Sequence, residues 1–268
     1  MAVWQRYQHD DIQGLKVGRL NQGINTQFIV YRFGDTVIDS GPSNQWRHVK
    51  KFLNEQPVKQ LLLTHHHEDH SGNAQSISKH FNLVPKAPEL GREKLAQGFK
   101  IPLLQKVVWG RLPPVETVAL SEEEFTGKGE KLVPVHTPGH AKDLTCFYVP
   151  SRGYVFSGDL YIAPKLKLLR SDENLEQLLS SIEKILALDF NILFCPHGGV
   201  IKQGKERLKA KFDSIMALAQ QAKDLQKQGK TEFEIVQSLL GPEELTSRLT
   251  GGNFSKLNLI RECLKLSI

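Results

Sequence analysis

Residues 64–73, Thr64-His65-His66-His67-Glu68-Asp69-His70-Ser71-Gly72-Asn73, follow directly on the apolar run Leu61-Leu62-Leu63. Side chains alternate along an extended segment, so His65 and His67 face the same way and can chelate one ion. Asp69 and His70 lie past the bend and can turn toward a second. The decapeptide therefore demands a strand that ends in a loop holding cations, and two ions are its natural reading.

Further His and Asp residues stand at similar places. His140 closes His136-Thr137-Pro138-Gly139-His140, Asp159 closes Phe156-Ser157-Gly158-Asp159, and His197 lies in Phe194-Cys195-Pro196-His197-Gly198-Gly199. Each follows a short β-branched or aromatic run (Leu132-Val133-Pro134-Val135, Tyr154-Val155-Phe156, Ile192-Leu193-Phe194) and each run gives way to Gly or Pro. These are strand ends opening into loops.

With H-x-H-x-D-H followed in order by a His, an Asp and a final His, the chain resembles the metallo-β-lactamase superfamily over roughly residues 20 to 200. The resemblance implies that His65, His67 and His140 bind a first ion, that Asp69, His70 and His197 bind a second, and that Asp159 bridges them. It also implies that Asp39, in Val37-Ile38-Asp39-Ser40-Gly41, supports the ligands from behind, as carboxylates around metal sites do when they fix a ring's tautomer. Nitrogen and oxygen ligands suit zinc first, with iron or manganese also accommodated.

The other imidazoles carry less. His66 fills the variable position of the motif and should point away from the metals to a hydrogen-bonding neighbour. His136 is either a support for His140 or a plain strand residue, and His9, His48 and His80 stand in no pattern.

A chain of 268 residues with 40% hydrophobic content can hold one large α/β domain and a small appendage. It contains no run of eighteen apolar residues, and Met1-Ala2-Val3-Trp4-Gln5-Arg6 opens no apolar leader, so neither membrane insertion nor secretion is expected and a cytoplasmic location follows by default. The three cysteines, at 146, 195 and 263, are odd in number and widely spread, which fits reduced thiols. Cys195, two residues from His197, reads as core.

The order of elements predicts a hairpin from Asn25–Tyr31 and Thr36–Asp39, a helix over Gln45–Leu53, and a strand over Pro57–Leu63 that delivers the first motif. Ser171 and Asp172 can cap a helix through Leu175, Leu178, Leu179, Ile182, Ile185 and Leu186, and Asp189–Phe194 returns as a strand before His197. Such alternation, and the resemblance, imply an α/β fold, a four-layer αββα sandwich over residues 1–204 with a small helical domain at 205–268. In that appendage Leu208 to Leu225 mark a long helix, Thr231 and Glu234 make a capping box, and Ser255 caps a third helix. Residues 82–130, rich in Pro and apolar side chains, either roof the site or pack as an amphipathic excursion.

Two divalent ions would acidify a bridging water to hydroxide and polarise a scissile oxygen, with Asp69 placed to orient that hydroxide or take its proton. The reading is a dinuclear hydrolase of a small ester, thioester or lactone. The net charge of +6 points to an anionic substrate, for which Lys165, Lys167 and Arg170, just after Asp159, are candidate contacts. The alternative is an RNA or DNA phosphodiester hydrolase that holds nucleic acid on the C-terminal helices, where basic residues are interleaved with acidic ones. The motif looks like that of the glyoxalase II group, although Phe147 stands where that group has a Tyr.

Overall fold

The computed structural model describes residues 3–20, 26–99 and 101–267. One sheet has the strand order β1-β2-β3-β4-β5-β6-β7, namely β1 (Val3–His9), β2 (Ile12–Gly18), β3 (Phe28–Phe33), β4 (Thr36–Ile38), β5 (Gln60–Leu62), β6 (Lys86–Ala87) and β7 (Val118–Ala119). It is antiparallel through β4 and parallel from there to β7. Parallel neighbours need crossovers. These are supplied by α1 (Trp46–Leu53), by α2 (Glu68–Ser71) with α3 (Ala74–Phe81), and by α4 (Glu89–Gln97) with α5 (Leu103–Trp109).

The second sheet contains β8 (Glu124–Phe125), β9 (Lys131–His136), β10 (Thr145–Val149), β11 (Tyr154–Phe156), β13 (Ile192–Cys195) and β14 (Gly199–Ile201), in the order β14-β13-β11-β10-β9-β8. Its parallel pair, β11 with β13, is joined by α6 (Leu175–Leu186). A two-stranded piece pairs β12 (Leu169–Arg170) with β15 (Phe254–Ser255). The C-terminal part is α7 (Gly204–Lys227), α8 (Glu232–Leu240), α9 (Leu245–Leu249) and α10 (Lys256–Lys265).

Three apolar clusters separate four layers, and strand periodicity assigns residues to them. Along β3, Phe28 and Val30 face α1, α3 and the 82–130 segment, whereas Ile29, Tyr31 and Phe33 face the other sheet. Along β10, β11 and β13, Phe147, Tyr154, Phe156 and Phe194 answer them across the gap. The intervening Cys146, Val155, Leu193 and Cys195 face outward to α6 and α7. The central strands β3, β10, β11 and β13 are thus buried on both faces, the condition of a sandwich with helices outside. The C-terminal helices share that outer cluster through Leu208, Ile215, Ala219, Ile235, Val236, Leu259 and Ile260.

Several elements differ from the sequence-based expectation. Asn174 caps α6, its side chain accepting from the Gln177 amide. Ser171 and Asp172 are engaged elsewhere, Ser171 with Asn253 and Asp172 with Arg170. The first two strands, the short α9 and the β12–β15 pair carry no periodic apolar signal strong enough to announce them. Asn25, the predicted start of the hairpin, lies outside the described residues. The capping box at Thr231 and Glu234 is formed, and the Ser255 side chain accepts from the Asn258 amide.

Candidate metal centre

The strand β5 ends at Leu62, and the chain leaves it at Thr64 into the turn that carries His65 and His67, after which α2 presents Asp69 and His70. Asp39 sits opposite, one residue beyond β4, in the left-handed conformation (φ 56°) that a non-glycine residue adopts only when its surroundings compel it. Those surroundings are visible. Its carboxylate accepts from the Thr64 amide at 2.7 Å, from Thr64 Oγ1 at 2.8 Å and from His70 Nδ1 at 2.8 Å.

Three nitrogens converge at the head of the first motif: His65 Nε2 is 2.9 Å and His140 Nε2 3.0 Å from His67 Nδ1. Such spacing is near the edge of about 3.3 Å expected for a tetrahedron of zinc–nitrogen bonds. On the other side, Asp69 Oδ2 lies 3.5 Å from His197 Nε2 and 3.9 Å from His70 Nε2. Asp159 stands between the two sets. Its Oδ2 is 3.2 Å from His140 Nε2, and its Oδ1 is 3.2 Å from both His70 Nε2 and His197 Nε2. His65, His67 and His140, and again Asp69, His70 and His197, are groups able to hold a metal ion.

The chemistry of this donor set fits a cation. His70 Nε2 and Asp159 Oδ1 are fully buried and, although 3.2 Å apart, make no hydrogen bond, as atoms kept for coordination should be. Burial and the nearby imidazoles, His70 above all, hold His65 well below the usual histidine range, and His67 is held down in the same way. Burial opposes charge on His70 and His140 too, but carboxylates outweigh it. Asp159, Asp39 and Asp69 raise His70 well above its ordinary value, and Glu173 with Asp159 raises His140 to about 10. Asp159 stays ionised against burial because His70, His197 and His140 surround it. His65 and His67 thus keep free lone pairs, while the positive charge drawn onto His70 and His140 by Asp39, Asp69, Asp159 and Glu173 marks a site whose negative charge a divalent ion would answer, displacing those protons as it binds.

Glycine makes two of the approaches possible. Gly158 (φ 45°) precedes Asp159, and a Cβ there would meet Leu144 at 2.9 Å and Thr64 at 3.2 Å. Gly139 (φ 135°) precedes His140, and its Cβ would meet the backbone of Leu178 in α6 at 2.5 Å.

The remaining candidates divide. Arg170 reaches the cluster: Asp172 accepts from its Nε and Nη2 at 2.9 and 2.6 Å, and Nη1 stands 3.1 Å from His67 Nε2. Lys165 and Lys167 are exposed and form no hydrogen bond or ion pair among the described residues. His66 turns from the cluster to Asp143, with Nδ1 2.7 Å from Oδ1. His136 is exposed and bonds the Lys142 carbonyl, as a strand residue rather than a support for His140. From the 82–130 segment, the Trp109 ring comes within 6.5 Å of the His197 ring and the Phe99 ring within 5.6 Å of the His66 ring.

Four residues at the centre were not anticipated. Thr64 links Asp39 to His65 and His70, Asp143 holds His66, and Glu173 Oε1 lies 3.0 Å from His140 Nδ1. Glu68 is buried, and burial followed by the neighbouring Asp69 pushes its carboxyl up to about 7. Thr64 precedes the motif and Glu68 fills one of its variable positions, so local sequence points to both; Asp143 and Glu173 are brought in by tertiary structure alone.

Comparison with known proteins gives the family. The sequence profile of the metallo-beta-lactamase superfamily matches residues 23–197. An atrochrysone carboxyl ACP thioesterase of Aspergillus fumigatus is 27% identical over 72% of this chain and 56% of its own length. A hydroxyacylglutathione hydrolase of Bartonella henselae is 24% identical over 60% of this chain and 56% of its own. The chain thus spans about half the length of the curated relatives it matches. Among solved structures, a beta-lactamase domain protein from Burkholderia ambifaria superposes with a TM-score of 0.74, covering 97% of this chain and 86% of that one at 17% identity. With the profile matching well over half of its residues, the chain belongs to the metallo-beta-lactamase superfamily.

Proposed function

We propose that this chain is a dinuclear metal-dependent hydrolase of thioesters or related small esters. The observation that carries the reading is Asp159, one oxygen facing the triad side at His140 and the other facing His70 and His197. A first ion would be held by His65, His67 and His140 and a second by Asp69, His70 and His197, with zinc as the best match to the donors. When bound, such a pair supplies a water-derived nucleophile at neutral pH and polarises the scissile carbonyl. The side chains need not provide a nucleophile themselves. Cys146 and Cys195 are buried, which pushes both thiols up to about 12 and leaves them unreactive.

Asp69 orients the attacking water and takes its proton. Arg170 is the substrate contact. If His67 coordinates through Nδ1, its Nε2 carries the proton and cannot accept from the guanidinium. Nη1 is then a free, fixed donor at the edge of the site, because Asp172 holds the other two nitrogens. It suits an anionic group or the carbonyl oxygen of the substrate. The relatives' names, a thioesterase and a hydroxyacylglutathione hydrolase, support transfer of an acyl group to water.

A polynucleotide substrate is the weaker reading, since the cations of the C-terminal helices are largely spent within the fold. Lys205, Lys211, Lys223 and Lys256 donate to backbone carbonyls, while Lys209 and Arg261 pair with Asp213 and Glu232. Protein stripped of metal and reloaded with zinc should hydrolyse acyl thioesters in a panel of thioester, ester, lactone and phosphodiester substrates. Arg170→Ala should raise KM for the anionic members while leaving neutral ones little changed. Cleavage of the phosphodiesters alone would overturn the proposal.

A further inference from the structure

Four of the five clustered imidazoles have their outer nitrogens held by protein oxygens. His70 Nδ1 faces two oxygens, Asp39 Oδ2 at 2.8 Å and Thr64 Oγ1 at 3.1 Å. His197 Nδ1 has the Gln27 carbonyl at 2.8 Å, and His65 Nδ1 has Thr64 Oγ1 at 3.1 Å. His140 Nδ1 likewise rests on one group, and that group is a carboxylate from a distant loop, Glu173 Oε1, 3.0 Å away. Glu173 is mostly buried, with 12% of its side chain exposed, and His140 is its one ion-pair partner among the described residues.

The fold clamps this pair together. Glu173 immediately precedes the cap of α6, and that helix with its cap is tied to the end of β9 and the loop before His140 by three bonds. The Asn174 amide donates to the Gly139 carbonyl at 2.8 Å, Ser181 Oγ to the Pro138 carbonyl at 2.7 Å, and Lys184 Nζ to the His136 carbonyl at 2.7 Å. The absence of a Cβ at Gly139 lets the loop lie against the Leu178 backbone. Carboxylate and ring are therefore set by backbone placement and not by chance side-chain contact.

We infer that Glu173 is the positioning residue of His140: it accepts the Nδ1 proton, so that Nε2 keeps its lone pair aimed between His67 Nδ1 and Asp159 Oδ2. This inference rests on the two-ion reading above. Its consequence is selective. His140 belongs with His65 and His67, so loss of Glu173 loosens one ion and leaves the set of Asp69, His70 and His197 with its own supports intact.

Zinc competition with a chromophoric chelator, on metal-stripped wild type, Glu173→Ala and Glu173→Gln, tests this. In Glu173→Ala one of two ions should bind about 10- to 100-fold more weakly, the other within about threefold of wild type, since outer partners of metal-bound histidines act on that scale. Glu173→Gln, whose amide oxygen can accept the same proton, should recover part of the loss. Melting of the metal-free proteins should nearly coincide. Both ions bound as tightly in Glu173→Ala as in wild type, or equal weakening of both with a lowered Tm, overturns the inference alone. A wild type that takes up no zinc overturns the two-ion reading and this inference with it.

Discussion

Lys211 offers a quantitative test of how the second sheet and α7 enclose the site. It is 2% exposed, and its ammonium donates to the Leu160 carbonyl, next to Asp159, at 2.7 Å. Burial lowers its pKa from 10.5 to about 8, against the pull of Glu173 and Asp159. The unfolded chain therefore holds this proton more tightly than the folded one. Between pH 8 and 10.5 the unfolded state carries more bound protons, so the Lys211 contribution to stability rises with pH there and is flat on either side. At 1.36 kcal/mol per pKa unit, the gap between 10.5 and about 8 corresponds to a gain of about 3 kcal/mol across that window.

The perturbation is Lys211→Met, which keeps the length and removes the charge. Urea unfolding of wild type and variant at pH 7 and pH 10 gives the difference directly, free of the other groups that titrate in both proteins. Wild type should gain about 2 to 3 kcal/mol relative to the variant between those values. At pH 7 the variant should be close to neutral, because the removed desolvation penalty offsets a lost charged hydrogen bond of about 1.5–3 kcal/mol. Parallel stability curves at the two pH values would refute the reasoning.

Asp69→Ala should abolish thioester turnover while about one ion per chain stays bound, since His65, His67 and His140 are untouched; near-normal turnover would show that Asp69 does not organise the water. Gly139→Ala should destabilise the fold by about 2–4 kcal/mol in thermal or urea unfolding, from a strained φ and contact with the Leu178 backbone. A loss below about 0.5 kcal/mol there would mean that the loop shifts freely.

The strand ends and the seven clustered residues were legible because each follows an apolar run and because His-x-His alternation reports a shared face. The layered architecture was legible from alternating elements, and the Thr231–Glu234 capping box from local chemistry. What escaped depends on distance in the chain. Glu173 meets His140 across 33 residues and Asp143 meets His66 across 77, through packing that no local pattern encodes. The cap of α6 was misplaced by two or three residues because Ser171 and Asp172 are equally good capping types, and only tertiary partners decide between them and Asn174. Lys165 and Lys167 share a short basic run with Arg170, yet the β12–β15 pairing turns only Arg170 to the cluster.

The central claim, that two ions act together, is tested most directly by adding zinc stepwise to metal-stripped protein while following thioester hydrolysis. Activity should rise to a plateau at about two equivalents per chain, with little at one, as expected of a site that Asp159 spans. A plateau at one equivalent, or hydrolysis undiminished in stripped protein, contradicts it.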